Sequence, residues 1–129
     1  MKIYLDHIGI ACENLEDSSG FWKLLGLMQG EDELVEDQGV TTRFFSTSHN
    51  DPKVPKIELL EPTSKDSIYH DCLVNRGQGV ADMMFLVEDI NVEVEKLVEK
   101  GANLLLSTNK YAVFDTRKEG NTLTRLLQR

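Results

Sequence analysis

One strand-then-helix pattern occurs twice in this chain at a constant spacing of 75 residues (7 to 82, 15 to 90, 26 to 101), and a duplicated unit of that size leaves few folds open. Asp6-His7-Ile8-Gly9-Ile10-Ala11 leads through Glu13-Asn14-Leu15 into a helical stretch ending at Gly26. Asp82-Met83-Met84-Phe85-Leu86-Val87 leads through Glu88-Asp89-Ile90 into a second, ending at Gly101. His7 falls on Asp82, Leu15 on Ile90 and Gly26 on Gly101 without a gap. Two copies of one supersecondary unit imply pseudo-twofold halves with a pocket between them. The side chains at the pocket positions then decide the function.

The rest of the chain fits that scheme. Residues 2–11 alternate and are rich in Ile and Tyr, which predicts a strand. Asn14 suits a helix N-cap, Glu16 and Asp17 suit a first turn, and Phe21, Leu24 and Leu25 supply an apolar stripe before Gly26. The acidic stretch Glu31 to Asp37 straddles a weak strand and a turn at Gln38-Gly39. Val40 to Thr47 and Lys56 to Glu61 read as strands, separated by a polar loop at 48–55 that carries His49. Thr63 or Ser64 is the expected cap of a helix reaching Asn75, with Ile68, Cys72 and Leu73 as its apolar side. Beyond the joint Arg76-Gly77-Gln78-Gly79, the order repeats as a strand over 80–87, a helix over 90–100 and strands near 103–106, 110–115 and 121–128.

Each half is therefore βαβββ. The expected fold is α+β, with two such modules forming a curved mixed sheet around a central pocket and helices outside. All 129 residues read as one domain, with a first module over about 1–62, a connecting helix over about 63–76 and a second module over about 79–129. A net charge of −8 opposes binding to phosphate backbones and argues against nucleic acid as a partner. No apolar run approaches the roughly 20 residues of a membrane span. Met1 leads almost at once into a strand, which leaves no room for a signal peptide and makes the cytoplasm the expected location. Cys12 and Cys72 are then expected as reduced thiols, although one disulfide is possible on paper.

Several segments carry a resemblance. Leu5-Asp6-His7-Ile8-Gly9-Ile10-Ala11, Phe21-Trp22-Lys23-Leu24-Leu25-Gly26-Leu27 and Asp37-Gln38-Gly39-Val40 resemble the methylmalonyl-CoA epimerases. Lys56-Ile57-Glu58-Leu59-Leu60-Glu61-Pro62 and Asn75-Arg76-Gly77-Gln78-Gly79-Val80 do so too. Those enzymes belong to the vicinal-oxygen-chelate superfamily, with the glyoxalases, bleomycin-resistance proteins and extradiol dioxygenases. The resemblance covers most of the chain and weakens after about residue 105. It implies a divalent cation between the modules, held by one ligand from the first and last strand of each. Carried over by position, the ligands fall at His7, Glu58, Asp82 and Arg125, or at Thr124 if the last strand slips by one. In the family the third is a histidine and the fourth a glutamate, and the family's basic carboxylate falls at Thr42.

Arg125 changes what such a site can hold. A guanidinium is always cationic and has no lone pair to offer a metal. Glu58 and Asp82 without a metal would be buried carboxylates in need of a counter-charge, which an arginine fork supplies. The first expectation is thus a divergent small-molecule-binding protein without metal, in which Arg125, or Arg43, captures a ligand carboxylate and His7 is the one proton carrier near neutral pH. His7, Thr42, Glu58, Asp82 and Arg125 form the expected pocket. The alternative is an isomerase or lyase abstracting a proton next to a carbonyl, with Mn, Co, Ni or Zn on His7, Glu58 and Asp82. A third is a structural homodimer, and pairing of two chains is the default that the resemblance implies. Each position also has a plain structural reading. His7 can be a buried strand histidine, Glu58 and Arg125 solvated strand residues, and Phe21, Trp22 and Met84 core. His49 and His70 read as surface histidines.

Overall fold

A computed structural model describes residues 2–47, 51 and 53–129, so His49 lies outside the described residues. The elements run β1 (Tyr4–Ala11), α1 (Leu15–Leu24), β2 (Met28–Gln29), β3 (Glu33–Val35), β4 (Val40–Ser46) and β5 (Lys56–Pro62). Then come α2 (Ile68–Arg76), β6 (Gly79–Val87), α3 (Ile90–Glu99), β7 (Leu104–Ser107), β8 (Tyr111–Thr116), α4 (Arg117–Gly120) and β9 (Thr122–Gln128). The strands make one mixed sheet in the order β2-β4-β5-β1-β6-β9-β8-β7, with β3 paired to β4. This is the α+β architecture with a curved sheet that the duplicated pattern predicts. No helix among the described residues is long and apolar enough to cross a membrane.

The pseudo-symmetry is visible in the strand register. β1 and β6 pair antiparallel at the centre, so the twofold runs between them. β5 lies parallel to β1 with Lys56 opposite His7 and Glu58 opposite Gly9. β9 lies parallel to β6 with Leu123 opposite Asp82 and Arg125 opposite Met84. Since His7 and Asp82 are equivalents, so are Glu58 and Arg125, each two residues further along. Register therefore places Arg125, and not Thr124, at the fourth position.

Helix entry and exit repeat the same devices. Asn14 and Asp89 cap α1 and α3 by accepting from the backbone N–H groups of Asp17 and Val92. A side chain from the last strand of each module adds to this: Glu61 accepts from Leu15 N at 2.8 Å and Gln128 from Ile90 N at 2.7 Å. Gly26 and Gly101 both leave their helices at φ +95, where a side chain would be strained.

The packing corrects two expected faces. On α1 the buried positions are Leu15 and Ser19, with Trp22 partly buried, and they pack on Cys12, Phe45 and Leu59. Residues 15, 19 and 22 share one helical stripe, so Phe21, Leu24 and Leu25 point away and are exposed. On α2 the cap is Ser67, which accepts from Tyr69 N and donates to Gln38 O at 2.9 Å. The helix leaves Ile68 exposed and turns Tyr69 inward with Cys72 and Leu73 against Ala11, Val40, Leu60 and Ala81. Burying a side chain such as Leu60 contributes on the order of 2 kcal/mol. α3 packs through Ile90, Val94 and Leu97 on Val87, Ala112, Phe114 and Leu126, while Val98 stays exposed.

Strand parity puts the helices on different faces. Leu59 belongs to the α1 cluster and Leu60 to the α2 cluster. Glu58 alternates with Leu59, so it shares the face that carries α2. The connecting helix thus covers one end of the face on which the pocket residues stand. Cys12 is buried and Cys72 half-buried, both as free thiols.

Candidate functional site

The four pseudo-equivalent positions form two buried pairs. In the first module His7 is held from both sides: Nδ1 lies 2.7 Å from Asp6 Oδ2 and Nε2 lies 3.2 Å from Glu58 Oε1. Burial pushes the imidazole down, but Glu58 and then Asp6 outweigh it, and His7 ends above its ordinary value. Donation to two carboxylates requires both ring nitrogens to carry hydrogen, which favours the imidazolium. Phe44 packs its ring edge-on against the imidazole at 5.1 Å.

The second pair is joined by a residue that the motif comparison does not supply. Arg125 Nη1 lies 3.6 Å from Asp82 Oδ2, and between them sits the Tyr69 hydroxyl. Arg125 Nη1 donates to Tyr69 Oη, which donates on to Asp82 Oδ2, each at 2.7 Å. Burial, followed by the charge of Asp82, pushes the phenol far above its usual range, so it stays a neutral donor. Gln38 Oε1 takes a weaker bond from the same nitrogen at 3.4 Å, and the guanidinium stacks over the Tyr111 ring at 5.6 Å. Asp82 is 1% exposed, and both its Oδ1 and Arg125 Nε lack a partner among the described residues.

Arg125 reaches a cavity of about 510 Å³, and Tyr69, Gln38 and Tyr111 line it beside the arginine. Of the five expected pocket residues, Arg125 is in this wall, while His7, Glu58 and Asp82 are buried beside it in the sheet. Thr42 is buried, and its hydroxyl donates to Glu33 O at 3.4 Å. Arg43, the other expected carboxylate anchor, faces the α1 side. There it binds Asp32 at 2.7 and 2.8 Å, Ser19 at 3.0 Å and Glu16 at 2.9 Å. Its fork is filled, and it clamps α1 to β4. Met84 is buried as expected, and His70 is half-buried on α2.

Tyr69, Gln38 and Asp6 are the contributors that motif spacing leaves out. Tyr69 had a signal: with Cys72 and Leu73 it makes an i, i+3, i+4 face once the cap is Ser67. Gln38 is placed by Gly39, which adopts φ +60 and lies where a Cβ would stand 3.2 Å from both Ser64 Cβ and Ser67 Cβ. That close approach lets the turn at 36–39 dock on the start of α2.

A curved sheet of two pseudo-symmetric βαβββ units, with ligand-like residues at matching strand positions, defines a class that comparison confirms. The model of the glyoxalase/bleomycin resistance protein/dioxygenase superfamily matches residues 6–119, and the chain belongs to that superfamily. It is 34% identical over 102 residues to the uncharacterized protein YqjC of Bacillus subtilis, covering 78% of this chain and 69% of that one. To the ethylmalonyl-CoA/methylmalonyl-CoA epimerase of Cereibacter sphaeroides it is 32% identical over 103 residues, covering 78% and 73%. A variant of the Streptomyces coelicolor methylmalonyl-CoA epimerase, solved with 2-nitronate-propionyl-CoA, superposes with a TM-score of 0.84 at 26% identity, covering 98% of this chain and 95% of that one.

Members of this superfamily often use a divalent metal, which needs side chains with free lone pairs. A metal-binding imidazole must offer a lone pair, and both His7 nitrogens face carboxylates. The fourth position holds a cation of its own. Among the described residues, no three His, Cys, Asp or Glu side chains are grouped to hold a metal.

The His7 pair makes a prediction for pH dependence. A folded-state pKa raised above the unfolded value near 6.5 adds stability that is complete below that value and is lost as pH rises through the folded one. Unfolding free energy from urea titrations is expected to fall as pH rises past about 6.5, and His7→Gln to flatten that fall. Equal slopes in the two proteins would remove His7 as the cause.

Proposed function

We propose that this chain binds a small, carboxylate-bearing molecule in the cavity between its modules, without a metal, and that Arg125 is the anchor. The observation that carries this reading is the Asp82–Tyr69–Arg125 chain at the cavity wall, a built-in cation with its orientation fixed. Nη1 faces Tyr69 and Gln38, while Nη2 has no hydrogen-bond partner among the described residues. A ligand carboxylate can accept a charge-assisted hydrogen bond from that Nη2. In this reading Asp82 and Tyr69 orient the anchor, and the His7–Glu58 pair and Thr42 form the buried floor beside it. Relatives whose names record CoA-ester epimerisation share the fold, but an epimerase also needs a base, and Thr42 stands where the family's carboxylate would be.

Melting temperature measured with hexanoate tests the reading. A rise with hexanoate that persists in EDTA, and is absent with hexanol, is expected. A rise that appears only after Mn, Co or Ni is added, and disappears in EDTA, would sink it. Calorimetry gives a second check. The wild-type chain should show no saturable heat with Co, whereas Arg125→Glu combined with Asp82→His should gain a site for one ion per chain. Stoichiometric Co binding by the wild type would return the metal-dependent isomerase reading.

A further inference from the structure

The cavity that Arg125 reaches owes one wall to an irregularity in β7. On β8, Ala112 and Phe114 pack in the α3 cluster, so Val113 between them stands on the opposite, cavity-lining face. Arg125 pairs with Val113 and precedes Leu126 of that same cluster, so it shares Val113's face. Leu104 packs with α3 as well, and plain alternation would send Leu106 after it. The register instead shifts between them: Leu104 pairs with Phe114 and Leu106 with Val113, which leaves Leu105 as an extra residue. That bulge returns Leu106 to the cavity face, and both Leu105 and Leu106 line the cavity. They are 46% and 48% exposed, on the strand at the end of the sheet. Leu106, Val113 and Arg125 thus stand side by side on neighbouring strands, a row that starts at a guanidinium and ends on bare leucine.

Resting on the carboxylate reading above, we propose that the ligand is a straight-chain aliphatic monocarboxylate of about eight carbons. Its head meets Arg125 Nη2, and its tail crosses Val113 onto Leu105 and Leu106. The length follows from strand spacing: β9 to β7 is two steps of about 4.8 Å, so the row runs about 10 Å, the reach of about eight carbons in an extended chain. Ile68 of α2, exposed and lining the same cavity, offers the tail another apolar neighbour. A chain of methylenes laid on this row removes apolar surface of both partners from water. The far end decides as much as the length. The side chains of Leu105 and Leu106 offer no donor, so a second carboxylate placed there would lose water without gaining a hydrogen bond. These exposed leucines fill no core, so packing does not account for the bulge, and bulges recur where a side chain is re-aimed beside a site.

Calorimetry on the full chain with butyrate, hexanoate, octanoate, octanol and suberate, the diacid of octanoate's length, tests this. Affinity is expected to rise about threefold to fourfold per methylene from butyrate to octanoate. Suberate is expected to bind about tenfold more weakly than octanoate. Leu105→Ser combined with Leu106→Ser should leave butyrate affinity as it is and bring octanoate level with hexanoate. Butyrate binding as tightly as octanoate overturns the inference and leaves the carboxylate reading standing, and so does suberate matching octanoate. Octanol matching octanoate overturns the carboxylate reading itself. No heat with any acid overturns both. A wild-type dimer in sedimentation that the double serine variant loses would make a second copy of the chain the occupant of the row, and would overturn the inference too. Both leucines are exposed on an edge strand, which makes the variant safe for folding, and its melting curve checks that directly.

Discussion

Replacing Arg125 by leucine lowers the unfolding free energy by about 3 kcal/mol, and adding Asp82→Asn returns at least half of that loss. The reason lies in Asp82, which is 1% exposed and has Oδ1 without a partner among the described residues. With the guanidinium gone, a buried carboxylate keeps only the Tyr69 hydroxyl, and an uncompensated buried charge is costly. The asparagine amide keeps a hydrogen bond to Tyr69 and removes the charge. Urea unfolding of the two single variants and the double variant forms a cycle whose coupling term measures the pair directly. Costs that simply add would mean that Arg125 is not the counter-charge of Asp82, and the anchor proposal would lose its orientation device.

Gly9→Ala should be nearly as damaging, at about 3 kcal/mol. A Cβ at this position overlaps Asp82 Oδ1 and stands 2.8 Å from Leu60 Cδ1. Neither neighbour can withdraw cheaply. Asp82 is tied to Tyr69 and Arg125, and Leu60 is 1% exposed within the α2 cluster. Gly9 sits opposite Asp82 in the central β1–β6 pairing, so backbone movement there would disturb both modules. Asp82→Ala in the same chain removes the nearest obstruction and should recover part of the loss. A melting temperature for Gly9→Ala within a degree or two of wild type would show that the central pair is looser than drawn.

Much of this architecture was legible because it repeats. The constant spacing of His7 to Asp82 and Gly26 to Gly101 is a statement about equivalent backbone positions, and β1 and β6 pair accordingly. The four site positions came from the family resemblance, and the parallel registers place Glu58 and Arg125 as equivalents. Other features depend on contacts that periodicity does not encode. The stripe at Phe21, Leu24 and Leu25 has helical spacing, yet α1 turns Ser19 inward because Arg43 on β4 donates to its hydroxyl. Tyr69 was hidden by its neighbour Ile68, which has an equally good i, i+4 spacing to Cys72 and is the more apolar of the two. Asp6 is one residue from His7 and would normally point to the other face of a strand, but the register of β1 against β6 shifts between Leu5 and His7. A local irregularity of that kind brings neighbours to one side.

The linker between the halves has a mechanical consequence. α2 is the covalent joint of the two modules, and it also lays Tyr69 against Asp82 and Arg125 of the second. A hinge would have to pull that phenol out of a buried seat before the cup could widen along its seam. The joint works as a strut that keeps the two halves at a nearly constant spacing, so under the proposed carboxylate reading selectivity would come from shape and charge more than from closure.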